Sequence, residues 1–144
     1  MSDESNMALV RQFLTRFKAG QYERLHELQA RVDWDIFPGA AEPYVPWMGH
    51  FEGREGADAC TEAFDGTLTT NQFDITKLFA DSGEVAAFIR AIWVNRASGR
   101  PFNLDFFAVF TVENEKIVSV REFGDTAAAI DAYRQTPLSG KLEG

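Results

Sequence analysis

The fold of this chain is most constrained by four consecutive segments that are rich in aromatic and β-branched residues and joined by very short turns. The segments are residues 72–80, 85–95, 102–112 and 116–123. Typical turn residues separate them at 81–83, 97–99 and 113–115. Strands that are joined this tightly must pair antiparallel, so the second half of the chain is predicted to form an antiparallel meander.

The first half of the chain shows helical periodicity that is interrupted by one strand. A first helix is predicted to end at Gly20, and a shorter second helix follows it. Their apolar positions recur every three or four residues: Val10, Phe13, Leu14, Phe17, Tyr22, Leu25 and Leu28. Residues 54–68 form a third predicted helix, and residues 38–51 form a loop rich in proline and glycine.

Residues 32–37 alternate with period two and are predicted to form a strand. Trp34 and Ile36 lie on one face of this strand, with Asp33, Asp35 and Phe37 on the other. If Asp33 and Asp35 both point inward, their carboxylates lie roughly 6–7 Å apart along the strand. Each aspartate is otherwise read as a turn or surface residue.

Helices first and a meander afterwards predict an α+β domain, in which the helices cover the apolar face of the sheet. Three N-terminal helices over a twisted sheet, with a short final helix that begins after Asp125, leave a cone-shaped cavity between the layers. The length fits one domain over residues 1–136, followed by a flexible tail over 137–144.

Composition limits the partners of such a domain. The net charge of −8 argues against nucleic acid and acidic membranes, and no segment is long and apolar enough to span a bilayer. The single Cys60 fits a reducing cytoplasm, and no spacing indicates a metal site or a cofactor. Thirteen Phe and three Trp exceed the needs of a small core, so a pocket for a small hydrophobic molecule is expected.

Several local motifs accompany this order of elements: F-K-A-G, W-D-I-F-P-G, P-W-M-G-H-F-E-G-R-E-G, S-G-R-P-F-N-L-D-F-F-A-V-F and E-K-I-V-S-V-R-E-F-G-D-T-A. Together they resemble the nuclear transport factor 2-like fold, and within it the SnoaL-like polyketide cyclases, over Met7 to about Tyr133. The resemblance implies a homodimer formed through the sheet. Fold alone does not define the chemistry, because isomerases, cyclases, hydrolases and non-catalytic binders share this fold.

The stretch from Ser98 to Glu122 is similar to the limonene-1,2-epoxide hydrolase family. That similarity puts Leu104 and Phe106 in the pocket wall and Glu122 at a catalytic carboxylate. Arg90 matches the cation that orients the acids, whereas the second acid is replaced by Ala91 or Ile92.

The ketosteroid isomerase family offers a second partial match, in which Asp35 falls on the base. The two oxyanion donors of that family are replaced by Phe13 and Ala108. The SnoaL-like cyclases fit best, because one acidic proton shuttle and no metal suffice for their intramolecular aldol closure.

The resulting hypothesis is a cofactor-free acid/base enzyme with Glu122 as proton shuttle, Asp35 as a second base or water-positioning group, and Arg90 as their orienting partner. The predicted substrate-binding residues are Phe13, Phe17, Asp33, Trp47, His50, Trp93, Leu104, Phe106, Ala108 and Val120. Glu122 is alternatively a charged residue at the sheet edge. Alternative functions are a non-catalytic binding or dimerisation module, an epoxide hydrolase- or isomerase-like enzyme with a modified site, and an accessory protein whose cavity is filled by phenylalanines.

Overall fold

The computed structural model describes residues 2–134; Met1 and residues 135–144, which include the predicted tail, lie outside the described part. In chain order the elements are α1 (Asp3–Lys18), a 3-10 helix (Tyr22–Leu28), β1 (Asp33–Ile36), β2 (Gly49–Glu52), α2 (Gly53–Thr67), β3 (Leu68–Asp81), β4 (Glu84–Asn95), β5 (Arg100–Glu113), β6 (Lys116–Gly124) and α3 (Ala127–Arg134). The predicted α+β architecture is therefore confirmed, with a 3-10 helix as the second of the three early helices.

The strands form one six-stranded sheet in the order β2-β1-β6-β5-β4-β3. Strands β3 to β6 pair antiparallel with their sequence neighbours, as the short turns predict. The pairing that the sequence does not indicate is between β1 and β6, which run parallel. This pairing places β1 beside β6, the last strand in the chain, and the sheet stays open with β2 and β3 at its edges.

The inner face of the sheet is apolar along the whole of β5. Phe102, Leu104, Phe106, Ala108 and Phe110 alternate with exposed or partly exposed residues, and each is at most 6% exposed. Side chains alternate between faces along a strand, so this run defines the face that the helices cover.

Helix α1 begins with a capping box formed by Ser2 and Ser5, in which each side chain accepts a hydrogen bond from the other residue's backbone N–H. It buries Val10, Phe13 and Leu14 against the sheet. The predicted helical stripe is therefore the stripe that packs on the inner face.

Strand β1 ends one residue earlier than predicted. Phe37 adopts a φ of +47°, which breaks the alternation, and its ring is buried against Trp47 and Phe106. The loop that was predicted over residues 38–51 also ends in a short strand, β2, which pairs with β1. Consequently Phe37 lies on the inner side and not on the aspartate face.

Helix α3 begins after Asp125, as predicted, and Asp125 Oδ1 accepts a hydrogen bond from the backbone N–H of Ala127 at 3.1 Å. No helix within residues 2–134 combines the length and the apolar character that a membrane span needs.

Candidate functional site

An aromatic pocket lies between the helices and the inner face of the sheet. Its walls come from α1, α2, β1 and the meander, together with the loop before β2. The lining residues are Phe13, Leu14, Phe17, Trp34, Ile36, Trp47, Cys60, Thr61, Phe64, Phe73, Trp93, Phe106, Val120 and Glu122. The free space inside is about 40 Å³, which holds on the order of three water molecules.

Glu122 is the only ionisable carboxyl group among these lining residues. It lies directly opposite Ala108 of β5 and Ile36 of β1, both of which are buried on the inner face. Residues that face each other across paired strands point to the same side of the sheet. The strand pairing therefore turns the Glu122 side chain into the pocket.

Burial in this apolar wall raises the pKa of Glu122 to about 8, and burial is the only cause of the shift. At neutral pH the group is consequently an uncharged carboxylic acid for most of the time. Such a group can donate a proton, and its conjugate base can take one back near physiological pH.

Cys60 and Thr61 line the pocket from α2. The Cys60 thiol donates a hydrogen bond to the backbone carbonyl of Trp47 at 3.4 Å. Burial raises the pKa of this thiol, and the nearby charge of Glu122 raises it further. Cys60 is therefore held as a neutral thiol.

Trp47 is fixed in the pocket wall by hydrogen bonds to the last helix. Its Nε1–H donates to the Tyr133 hydroxyl at 2.7 Å, and that hydroxyl lies 2.7 Å from Thr67 Oγ1. Since Thr67 donates its own proton to the carbonyl of Ala63 at 2.9 Å, Tyr133 must donate to Thr67. This chain of donors joins α3, α2 and the pocket wall.

The structure places Asp33, Asp35 and His50 on the outer face of the sheet, away from the pocket. Trp34 and Ile36, which alternate with the aspartates, are the β1 residues that line it. The prediction that Asp35 acts as a second base beside Glu122 is therefore wrong in position, as is the prediction that Asp33 and His50 contact a ligand there. The apolar face of β1 turns inward because burying it is favourable.

These outer-face residues form a cluster of their own. His50 Nδ1 lies 2.6 Å from Asp35 Oδ1, while its Nε2 lies 3.2 Å from Glu52 Oε2 and 3.8 Å from Asp33 Oδ1. The hydrogen bond to Asp35, and secondarily that to Glu52, raises the pKa of His50.

Arg90 also lies on the outer face, where its Nε is 3.6 Å from Asp105 Oδ1 and both side chains are 62% exposed. Arg90 and Asp105 are opposite each other across β4 and β5, and their neighbours Ala91 and Leu104 are the buried pair. The predicted role of Arg90 in orienting Glu122 is therefore excluded by its face of the sheet.

Most of the predicted substrate-binding residues do line the pocket: Phe13, Phe17, Trp47, Trp93, Phe106 and Val120. Leu104 and Ala108 face inward as predicted, but they are fully packed in the core and do not line it. For the six residues that line the pocket, contact with a ligand stays a prediction.

Other lining residues were not predicted: Leu14, Trp34, Ile36, Cys60, Thr61, Phe64 and Phe73. Leu14, Cys60 and Phe64 lie on the buried faces of α1 and α2. The helical periodicity of the sequence indicates that these residues face inward, although it does not indicate that they line a pocket. The inward orientation of Phe73 follows from its pairing with Ala91 across β3 and β4, so helical periodicity could not predict it.

Within residues 2–134, two groups of three side chains bring ligand atoms close enough to hold a metal ion: Glu23, His26 and Asp58, and Asp33, His50 and Glu52. Neither group includes a residue of the pocket wall. The pocket itself thus offers one carboxylic acid and one thiol in an aromatic enclosure, which suits proton transfer to a neutral organic molecule.

Comparisons with known proteins agree with this fold. A model of the SnoaL-like domain family matches residues 10–120. The comparison with curated protein sequences gives no match.

Several solved structures have the same fold. An NTF2-like protein from Burkholderia xenovorans LB400 is 24% identical, over 93% of this chain and 99% of that chain, with a TM-score of 0.81. Bal32a, from a soil-derived mobile gene cassette, is 22% identical over 92% and 98% of the two chains, with a TM-score of 0.76. TerC, co-crystallised with polyporic acid, is 17% identical over 91% and 99%, with a TM-score of 0.78.

Proposed function

Because the chain belongs to the SnoaL-like domain family, we propose that it is a cofactor-free acid/base enzyme, most like a SnoaL-type aldol cyclase. Its substrate is a small hydrophobic molecule, polyketide-like or cyclic, that enters the aromatic pocket. One observation carries this proposal: a single carboxyl group lies in an apolar wall, with a pKa raised to about 8.

The chemistry requires only that one group. The Glu122 carboxylate takes a proton from a C–H beside a carbonyl, and the electron pair of that bond moves to the carbonyl oxygen as an enolate. In an aldol closure the enolate carbon then forms a bond to a second carbonyl carbon, and the resulting alkoxide takes the proton from Glu122. Glu122 thus begins and ends as a carboxylate.

The aromatic wall supports this role by excluding water from the reacting atoms. Phe13, Phe106 and Val120 line the same pocket as the acid, and their side chains cannot solvate a charge. A substrate with an already acidic C–H has a low barrier to enolisation, so one positioned carboxylate suffices. This reasoning favours a doubly activated C–H, such as one that lies between two carbonyl groups.

The proposed enzyme is a homodimer whose subunits pair through the outer face of the sheet. A row of aromatic rings crosses that face from β3 to β6: Phe79, Phe88, Phe107 and Phe123. The first three are 51%, 42% and 38% exposed, which is unusual for adjacent large apolar side chains. These four side chains are called the aromatic row. A second subunit that packs against the aromatic row would remove its apolar surface from water, which favours the dimer.

The test uses deuterium exchange, since it detects proton transfer without knowledge of the natural substrate. Phenylacetone is incubated in D₂O with the wild-type protein, with Glu122→Gln and with Asp35→Asn, and loss of its C–H signal is followed by NMR. Asp35→Asn is the matched control because it makes the same carboxylate-to-amide change on the outer face.

The wild-type protein and Asp35→Asn are expected to accelerate exchange, and Glu122→Gln is expected to lose roughly 10²- to 10⁴-fold of that acceleration. Equal exchange rates with Glu122→Gln and the wild-type protein would remove Glu122 from the mechanism.

The second candidate is a non-catalytic accessory protein of the same fold whose cavity is filled by phenylalanines, and the size of the cavity favours it. Its free space of about 40 Å³ is smaller than a single aromatic ring requires, so the rings of the wall must move before a ligand enters. If no apolar ligand raises the melting temperature, the pocket is a packed core and the catalytic proposal fails.

A further inference from the structure

Some polar atoms of the pocket wall have hydrogen-bond partners within the protein and others do not. Side chains with polar atoms in the wall are Trp34, Trp47, Cys60, Thr61, Trp93 and Glu122. All but the last two donate a hydrogen bond to another part of the chain, at distances of 2.8, 2.7, 3.4 and 3.2 Å respectively. The wall side chains whose polar atoms donate no hydrogen bond within residues 2–134 are therefore Trp93 and Glu122.

Trp93 is an unusual member of this wall. It is 2% exposed, and its Nε1 has no hydrogen-bond partner among the residues that the structure describes. Its ring centroid lies 5.2 Å from that of Phe64, 5.7 Å from Trp47 and 6.0 Å from Phe106, all of which line the pocket. A buried donor without an acceptor is costly, and tryptophan usually has a partner when it is buried.

The other buried side-chain atoms that lack a partner within residues 2–134 are Gln29 Nε2 and Arg100 Nε. Neither side chain lines the pocket. Trp93 is thus the described residue whose side chain both lines the pocket and has an unsatisfied donor.

We propose that the pocket takes an uncharged aromatic or cyclic molecule with a carbonyl oxygen, and that Trp93 Nε1–H donates a hydrogen bond to that oxygen. This inference rests on the proposed function, because it assumes that the pocket is the ligand site. It adds the chemical class of the ligand and the group that selects it.

The ligand must be uncharged because the wall contains no lysine or arginine to balance an anion. An oxygen acceptor is required because the indole N–H is a donor only. A hydrocarbon of the same size would leave the N–H unsatisfied and would bind less tightly.

Trp93 is a binding group and not a partner in proton transfer. It pairs with Phe102 on β5, whereas Glu122 pairs with Ala108 on the same strand. Six residues of extended chain separate those two positions, roughly 20 Å along the strand. The carbonyl that Trp93 binds is therefore proposed to differ from the carbonyl beside the C–H that Glu122 attacks.

Three single-ring probes of similar size test the proposal: acetophenone, ethylbenzene and benzoate at neutral pH. Binding to the wild-type protein and to Trp93→Phe is measured by NMR titration, with ¹⁵N-labelled indole groups. The chain has three tryptophans, and the N–H groups of Trp34 and Trp47 already have protein partners. Their indole signals are therefore internal controls in the same spectrum.

Acetophenone is expected to shift the Trp93 indole proton downfield, and ethylbenzene is not. The preference for acetophenone is the dissociation constant of ethylbenzene divided by that of acetophenone. This ratio should be roughly 3- to 10-fold larger for the wild-type protein than for Trp93→Phe. Benzoate should bind neither protein.

An unchanged Trp93 indole signal, together with equal ketone preference in Trp93→Phe, would overturn the proposal and leave the role of Glu122 untouched. Benzoate binding as tight as that of acetophenone would overturn the requirement for an uncharged ligand. If none of the probes bound the wild-type protein, the pocket would not be a ligand site and the proposed function would fail with it. Should Trp93→Phe not fold, the indole signal of the wild-type protein alone decides.

Discussion

Asp35 of β1 lies opposite Arg121 of β6, while Glu122 lies opposite the next residue, Ile36. This single step of register puts the two acids on opposite faces of one sheet. Asp35 is consequently paired with His50 and lies 4.0 Å from Arg121 on the outer face, whereas Glu122 lines the apolar pocket. Among the residues that the structure describes, the pocket thus has one acid and not a catalytic pair.

The pH dependence of catalysis should follow Glu122 alone. Because its pKa is raised to about 8 by burial, the carboxylate that removes a proton forms only as the pH approaches that value. The rate of deuterium exchange, measured from pH 5 to 10, is expected to rise and to level off above about 8. A profile that levels off near pH 4 to 5 would show that a solvated carboxylate carries the reaction.

Stability should fall over the same pH range. Glu122 has a higher pKa in the folded protein than the ordinary 4.5, so the unfolded chain ionises first and gains from each further rise in pH. The free energy of unfolding is expected to drop by up to about 1.4 kcal/mol per pH unit between roughly 4.5 and 8. In Glu122→Gln, followed by urea unfolding, the fall in stability with pH should be smaller by the contribution of Glu122, and an identical slope in both proteins would contradict the buried acid.

His50 should have the opposite kind of dependence on pH, in that its charged form is the stabilising one. Its pKa is raised in the folded state by hydrogen bonds to Asp35 and then Glu52, so its contribution is complete below pH 6.5 and is lost as pH rises through the raised value. The melting temperature of the wild-type protein is expected to exceed that of His50→Gln at pH 6. The difference should nearly vanish at pH 9.

Glu122 ionises in both of these proteins, so its effect cancels in the difference. A difference that grows with pH would contradict this assignment of charge. Added salt should reduce the difference at pH 6, because His50 is 50% exposed and its interactions are screened.

Tyr133→Phe should destabilise the protein through the pocket wall. The substitution removes the acceptor of the buried Trp47 Nε1–H, while Thr67 keeps its own bond to the Ala63 carbonyl. An unsatisfied buried donor costs about 1–3 kcal/mol, which urea unfolding followed by tryptophan fluorescence would measure. Tyr22→Phe is the matched control, since the hydroxyl of Tyr22 makes only a 3.5 Å bond; equal effects of the two changes would contradict the role of Tyr133.

The aromatic row predicts the oligomeric state. The double substitution Phe88→Ser and Phe107→Ser should convert the proposed dimer into a monomer in analytical ultracentrifugation, because it removes the central stacked pair of the row. Tyr44→Ser changes an aromatic residue of similar exposure that is not part of the sheet, and should leave the dimer intact. A wild-type protein that sediments as a monomer at micromolar concentration would contradict the dimer.

Much of the fold could be read from local patterns. The tight turns at 81–83 and 113–115 made antiparallel pairing unavoidable, and the stripe of Val10, Phe13 and Leu14 predicted which side of α1 is buried. Short-range chemistry is sufficient for such features, because turn residues and hydrophobic periodicity act over a few positions. The family resemblance added the order of layers and the inward orientation of Glu122.

The local sequence of β1 and β4 could not predict which face of each strand is turned toward the pocket. Alternation showed that Asp35 and Trp34 lie on opposite faces, but only the parallel pairing of β1 with β6 decided which of them faces the pocket. Arg90 likewise faces Asp105 through the pairing of β4 with β5, a contact between residues from separate strands. In both cases the alternation was correct and the face was decided elsewhere in the chain.

The sequence by itself therefore determined the elements, the antiparallel meander and a carboxylate at Glu122. Only the tertiary structure decided that this carboxylate is the sole acid of the pocket and that Trp93 Nε1 lacks a partner within residues 2–134. The physical reason is that both properties depend on burial by distant segments. A side chain's desolvation and its hydrogen-bond partners are set by whatever the whole fold packs against it, and a shift of one residue in register exchanges the two faces of a strand.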